Sequence, residues 1–161
     1  MRIGYGTSIT VPVSAERWYS EINAGRAFVR GQNIGALAAN FNEVQLFNPL
    51  ASGKTITVYR ALCSTAAIDG IYCRTHNTAL ATLVGNGINL QSGGAAGVGE
   101  LRTAQVGALD GTNVTLLLTV ANTPIERFSV WAWQLDPGEG ILLTAANVNI
   151  GLSVEYYWNE V

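Results

Sequence analysis

The fold class is decided by residues 149–160, which read NIGLSVEYYWNE. Large apolar side chains recur at every second position of this stretch, and most of the residues between them are small or polar. The recurring residues are Ile150, Leu152, Val154, Tyr156 and Trp158. Because successive side chains of a β-strand point to opposite faces, this alternation predicts a strand with one buried face.

The same period of two residues recurs upstream. Four apolar residues of the segment 114–120 share one face of a second predicted strand. They are Val114, Leu116, Leu118 and Val120. Residues 128–133 predict a third strand that is apolar on both faces, which is typical of a sandwich core or of a contact between subunits.

Shorter stretches rich in β-forming residues predict the remaining strands. These stretches are residues 41–47, 55–64, 71–76 and 140–144, with weaker signals at 88–91 and 100–105. Turn residues such as Asn48-Pro49 and Asp136-Pro137-Gly138 separate them. About eight short strands joined by turns predict an all-β protein, an antiparallel sandwich or barrel.

Two of these strands, 55–64 and 71–76, are expected to form a hairpin with Asp69-Gly70 in its turn. In that register Cys63 and Cys73 do not face each other, so a disulfide between them is not expected. We therefore predict two buried, reduced thiols.

The first 40 residues carry no comparable alternation. Residues 14–22 predict a short helix with Ser14 as its N-terminal cap. We predict that residues 1–40 form an N-terminal arm and that residues 41–161 form the β-sandwich domain. The apolar side chains of the arm are expected to be buried against a different chain, because they lie outside the predicted sheets.

The composition limits the possible functions. The chain has 161 residues, of which 48% are hydrophobic and 12% are charged, with a formal net charge of −2. Because Lys54 is the only lysine, a basic surface for nucleic acid is not expected. A surface so poor in charge favours contact with other subunits. No segment predicts a membrane-spanning helix or a signal peptide.

Two glycine-containing segments resemble phosphate-binding loops. Ser52-Gly53-Lys54-Thr55 matches the end of such a loop, but a predicted strand follows it where the loop requires a helix. The segment 93–99 lacks the G-x-G-x-x-G spacing of a dinucleotide loop. We interpret the first as a polar turn and the second as a mobile connection or a closely packed loop.

The candidate catalytic groups also have structural interpretations. Asp136 and Glu139 could form the carboxyl pair of a glycosidase, but a turn explains both. His76 could act as a base beside Cys73 or Ser64, but the sequence offers no third group to orient it. One histidine and two cysteines do not form a recognisable metal-ligand pattern. We therefore expect no catalytic residue, no cofactor and no metal.

Aromatic residues are the more informative candidates for an interface. Five of them lie on two predicted strands and could stack against a sugar if they were exposed together, but a core or a subunit interface is favoured. These five are Trp131, Trp133, Tyr156, Tyr157 and Trp158. The predicted interface residues are Tyr5, Trp18, Tyr19, Phe28, Trp131, Trp133 and Tyr157.

Three segments, residues 44–54, 136–140 and 156–160, resemble those of a known class of protein. They contain a strand that ends in Asn48-Pro49 and enters a Ser-Gly turn, a later Pro-Gly-x-Gly turn, and an aromatic and acidic final strand. This pattern resembles small β-sandwich virion proteins of tailed bacteriophages. The resemblance extends over residues 41–161 and implies a jelly-roll-like fold that is frequently trimeric and attached to a capsid or tail.

The resemblance and the composition agree on a non-enzymatic virion structural protein. We expect a capsid decoration or cement protein that binds at junctions of the shell and stabilises the assembled particle. It would form a homotrimer, contact the major capsid protein or other virion subunits, and bind neither nucleic acid nor membrane. It would be made in the host cytoplasm and lie on the capsid surface. The alternative is a tail or fibre module that binds a host-surface receptor or glycan.

Overall fold

The computed structural model describes residues 15–127 and 133–161. These residues form one helix and two β-sheets. The elements are α1 (Ala15–Asn23), β1 (Ala27–Ile34), β2 (Phe41–Phe47), β3 (Ile56–Thr65), β4 (Asp69–Thr75), β5 (Thr82–Asn86), β6 (Ile88–Asn89), β7 (Glu100–Val106), β8 (Thr112–Thr119), β9 (Ile125–Arg127), β10 (Trp133–Leu135), β11 (Gly140–Ala145) and β12 (Leu152–Glu160).

The strands form two antiparallel sheets. The first sheet has the order β10-β3-β12-β1-β6, and β9 also pairs with β3. The second sheet has the order β5-β7-β2-β11-β4-β8. One hydrophobic core takes its residues from both sheets, so the protein is an antiparallel β-sandwich, as predicted.

The connections between the strands are those of a jelly roll. β1 pairs with the last strand, β12, and β2 pairs with the strand before it, β11. β3 lies on the other side of β12, and β4 lies on the other side of β11. β8 then pairs with β4, while β9 and β10 pair with β3. β5, β6 and β7 are additions to this pattern that extend the two sheets beside β2 and β1.

The final strand, β12, supplies the centre of the core, as its alternation predicts. Its inward residues Leu152, Val154, Tyr156 and Trp158 are buried. The hydroxyl of Tyr156 donates to the carbonyl of Val44 on the facing sheet at 3.1 Å. The polar atom of this buried ring therefore has a hydrogen-bond partner within the core.

Close packing around Trp158 depends on Gly87, which lies between β5 and β6. A Cβ atom at Gly87 would lie 2.4 Å from Cζ2 of Trp158 and 3.0 Å from Cβ of Phe28. Gly87→Ala is therefore expected to lower the free energy of unfolding by about 1–3 kcal/mol, because the core rings have little room to move. Gly107→Ala is the control, since nothing lies within 4 Å of its added Cβ. Equal stabilities of the two variants in urea denaturation would contradict this packing.

The domain boundary predicted at residue 40 is wrong for residues 27–34. They form β1, which lies between β12 and β6 and pairs with β12 along its whole length. The alternation of β1 is hidden in the sequence because Arg30 lies on the same face as the buried Phe28. Arg30 Nη2 reaches the facing sheet and donates to the carbonyl of Val84 at 3.1 Å. An inward arginine with a partner at the sheet edge breaks the apolar pattern that would have identified the strand.

The predicted N-terminal helix is present as Ala15–Asn23. Gly25 ends it with a φ of +68°, a left-handed conformation that favours glycine. The amide of Arg26 then donates to the carbonyl of Glu21, and Arg26 Nε lies 2.8 Å from Glu21 Oε2. Ser14, the predicted cap, lies outside the described residues.

The predicted hairpin between β3 and β4 is wrong, because β3 belongs to the first sheet and β4 to the second. Asp69 and Gly70 open β4 instead of forming a turn. The carboxylate of Asp69 accepts hydrogen bonds from the backbone and side-chain amides of Asn147. Cys63 and Cys73 therefore lie on different sheets, and both are buried thiols, as predicted.

Candidate interaction surfaces

The structure separates the predicted interface residues. Tyr5 and Trp131 lie outside the described residues. Phe28 is wrong as an interface residue, because β1 carries it into the core, where its ring stacks with that of Trp158 at 6.2 Å between centroids. Trp133 begins β10 and packs against the same core. Of the strand predicted at residues 128–133, Trp133 is the only residue that the structure describes.

Trp18 and Tyr19 lie next to each other on α1 but differ in their surroundings. The ring of Trp18 contacts that of Tyr59 on β3 edge-on, with 4.9 Å between centroids and 80° between the ring planes. Trp18 therefore packs in part against the first sheet of its own chain, whereas the sequence predicts burial against a different chain. Tyr19 is 67% exposed and stays a candidate contact residue.

Tyr157 lies on the outer face of the first sheet. The guanidinium of Arg60 lies over its ring, 5.4 Å from the centroid. A hydrogen bond with Glu155 raises the pKa of Tyr157, and burial adds to the increase. Because a cation of the same chain covers one face of the ring, Tyr157 offers less aromatic surface to a sugar than its sequence context suggests.

β8 directs its apolar face toward solvent. The residues predicted to share one face do so, but that face points outward: Val114 is 47% exposed, Leu116 45%, Leu118 82% and Val120, just beyond the strand, 63%. Thr119, on the opposite face, is buried. We call these four outward residues the β8 surface.

β8 is also an edge strand, since within residues 15–127 and 133–161 it pairs with β4 alone. Edge strands of soluble proteins are usually protected from further pairing by charged residues or proline. The segment 112–120 contains neither. An apolar face on an unprotected edge is typical of a contact with another protein chain.

The outer face of the second sheet also carries a buried carboxyl group, that of Glu43 on β2. The amide of Asp110, in the segment 107–111 between β7 and β8, donates to Glu43 Oε1 at 3.1 Å. Glu43 Oε2 has no hydrogen-bond partner among the described residues. Oγ1 of Thr144 also has no hydrogen-bond partner among the described residues. Thr144 lies on β11 and is paired with Glu43 of β2.

Glu43 changes its charge near neutral pH. Burial raises the pKa of Glu43 to about 7, and the charge of Asp110 acts in the same direction. The hydrogen bond from the amide of Asp110 and the charge of Arg74 lower the pKa in part. The guanidinium of Arg74 donates to the carbonyls of Asp110 and Gly111. A titratable group therefore lies under the segment that leads into β8.

Two turn motifs noted in the sequence meet at Asn48, which is buried. Its Nδ2 donates to the carbonyl of Lys54 at 2.8 Å and to that of Leu135 at 3.0 Å. The amide of Gly138 donates to the carbonyl of Asn48 at 2.8 Å. Ser52-Gly53-Lys54-Thr55 is thus a turn before β3, as predicted, and not the start of a helix.

The glycine-rich segment 93–99 is held by Glu160, which ends the aromatic and acidic last strand. The Glu160 carboxylate accepts hydrogen bonds from the amides of Val98 and Gly99, each at 2.9 Å, and from Nε1 of Trp158 at 3.0 Å. Residues 97–99 are therefore closely packed, whereas residues 93–96 of the same loop are exposed. The sequence places an acidic residue at the end of the last strand, but it does not indicate the contact of Glu160 with this segment.

The candidate carboxyl pair Asp136 and Glu139 lies in the turn between β10 and β11. The amide of Asp136 donates to Glu139 Oε2 at 2.9 Å, and the amide of Glu139 donates to the carbonyl of Asp136 at 3.0 Å. These bonds close the turn that the sequence predicts. His76 follows β4 of the second sheet, whereas Ser64 lies on β3 of the first, so the hairpin that would have joined them is not formed.

Among the described residues, no group of three or more His, Cys, Asp or Glu side chains could hold a metal ion. The described part of the chain also has no helix that is long and apolar enough to cross a membrane. Comparisons with protein-family models, with curated proteins and with solved structures find no match.

Proposed function

We propose that the protein is a non-enzymatic structural subunit of a bacteriophage virion, a capsid decoration or cement protein whose copies associate through the β8 surface. The proposal depends on one observation above all, the outward apolar face of β8 on an unprotected sheet edge. Removing such a face from water contributes about 25 cal/mol per Å². The absence of charge in the segment 112–120 leaves no like-charge repulsion between two copies of this strand.

Two further features support the proposal. The segments 44–54 and 136–140, which resemble those of phage virion proteins, meet at Asn48 within a jelly roll. The acidic pair Asp136 and Glu139 is engaged in a turn, which favours a structural role over catalysis.

In this proposal the protein forms a homotrimer that binds the major capsid protein or other virion subunits at junctions of the shell. A protein that binds the assembled shell and not the free subunits stabilises the particle by mass action. It would be made in the host cytoplasm and reside on the capsid surface.

Leu116→Lys combined with Leu118→Lys is expected to abolish self-association, because association would bury two unpaired charges. Light scattering at micromolar concentration should give about three times 17.1 kDa for the unmodified chain and 17.1 kDa for the double variant. Leu50→Lys is the control, since Leu50 is largely exposed in the turn after β2. An unchanged mass in a cooperatively folded double variant would contradict the role of the β8 surface.

A further inference from the structure

β8 starts immediately after the segment 107–111, which covers Glu43. The segment is attached to the sheet through two of its residues. The amide of Asp110 donates to Glu43 Oε1 at 3.1 Å, and Arg74 donates to the carbonyls of Asp110 and Gly111. The position of this segment therefore depends on a buried carboxyl group and on one arginine.

Glu43 cannot move away from the segment, because its strand is internal. β2 pairs with β7 on one side and with β11 on the other. The residues that pair with Glu43 on these two strands, Ala104 and Thr144, carry no charge. The charged groups that face Glu43 are Asp110 from the covering segment and Arg74 from β4.

Other titratable groups on this face have partners of their own. Glu100 and Arg102 of β7 form an ion pair at 2.6 Å. Tyr72 of β4 lies beside Arg74, with 5.9 Å from the guanidinium carbon to the ring centroid. Apart from burial, the ionisation of Glu43 therefore depends on Asp110, whose charge opposes it, and on Arg74, whose charge favours it.

We propose that Glu43 and Asp110 form a proton-dependent latch that closes the segment 107–111 over the sheet and holds the start of β8 in place. With a proton on Glu43, the segment lies closed. When the proton is lost, two carboxylates face each other at a site shielded from water, and the segment, which belongs to no strand, opens and lets water reach Glu43.

Opening the segment is expected to loosen the first pairs of β8. Thr112 and Asn113 pair with Thr75 and Arg74, next to a register shift in the ladder between β4 and β8. An irregular ladder at the end of an edge strand opens more easily than a regular one. Val114, the first residue of the β8 surface, would then be displaced. Displacement of Val114 is expected to weaken self-association through the β8 surface. This expected effect rests on the proposed function, whereas the latch itself does not.

The direction of the pH dependence follows from the pKa of Glu43 in the two states. The pKa is about 7 when the segment is closed, and it returns toward the ordinary value of 4.5 when water reaches the carboxyl group. The opening equilibrium constant is then expected to rise about tenfold per pH unit between these values, about 300-fold in total, and to level off above pH 7.

Hydrogen exchange of the full chain tests the latch at the amides of residues 110–114, after correction for the intrinsic pH dependence of exchange. Protection of these amides should fall steeply from about pH 5 to about pH 7 and then remain constant. Glu43→Gln should remove the fall in protection, because the side-chain amide of glutamine does not titrate in this pH range. Asp110→Asn, on the partly exposed segment, should make the fall smaller.

Glu100→Gln is the matched control, because it removes a carboxyl group from the same sheet face but not from the latch. It should keep the fall seen in the unmodified chain. A fall of equal size in Glu43→Gln would overturn the latch. Protection that depended on added Ca²⁺ and not on pH would also overturn it, in favour of a cation site.

Light scattering at pH 5.5 and pH 8 separates the latch from the proposed function. If self-association is weaker at pH 8 than at pH 5.5 in the unmodified chain but equal at the two pH values in Glu43→Gln, the result supports both the latch and the proposed function. A fall in protection without any self-association at either pH would support the latch and overturn the proposed role of the β8 surface.

Discussion

Trp158→Ala is expected to lower the free energy of unfolding by about 3–5 kcal/mol. The ring of Trp158 is buried in the core, stacks with Phe28 and donates from Nε1 to Glu160 Oε1 at 3.0 Å. The substitution leaves a cavity and removes a hydrogen-bond donor from a buried carboxylate. Urea denaturation measures the loss.

Tyr19→Ala is the control for this experiment, because it removes a largely exposed aromatic ring from α1. Its expected effect is within about 0.5 kcal/mol. A loss below about 1 kcal/mol in Trp158→Ala would contradict the position of this residue at the centre of the core.

The stability of the protein should also depend on pH through Glu43. The free energy of unfolding is expected to fall by up to about 3 kcal/mol through Glu43 as the pH rises from 4.5 to about 7. Within this range the folded protein keeps a proton on Glu43 that the unfolded chain has already released. Unfolding therefore releases a proton and is favoured by rising pH. Above pH 7 Glu43 is ionised in both the folded and the unfolded chain, so the loss of stability that it causes stays constant.

Glu43→Gln should remove this part of the pH dependence. The variant is expected to be more stable than the unmodified chain at pH 8, and the advantage should shrink toward pH 5. Urea denaturation at these two pH values measures the difference, with Glu100→Gln as the control that keeps the unmodified behaviour. The same loss of stability between pH 5 and pH 8 in Glu43→Gln would contradict a raised pKa at this residue.

The strands with strong alternation or clear turns could be predicted, and those shaped by distant contacts could not. β12 is evident because its apolar residues are uninterrupted at every second position. β1 is hidden because Arg30 takes an inward position, and its partner Val84 is far away in the sequence. The hairpin around Asp69-Gly70 fails for a similar reason, since Asn147 fixes Asp69 from a distant turn.

The β8 surface shows what alternation does not determine. The period of two residues identifies Leu116 and Leu118 as neighbours on one face, but it does not say which face of the strand meets the core. The burial of Glu43 is equally hard to predict, because it depends on the segment 107–111, which is distant in the sequence. Nothing in the pattern of that segment indicates that it covers β2. Exposed apolar faces and buried carboxyl groups are therefore properties of the folded chain that a local pattern cannot locate.

The most direct test of the proposed virion role is the position of the chain in purified particles of a phage whose genome carries its coding sequence. Antibody labelling observed by electron microscopy gives both the position and the number of copies. A decoration protein should give label distributed over the capsid surface. Label confined to the tail tip would contradict a decoration protein in favour of a receptor-binding module, and particles without label would contradict a virion role altogether.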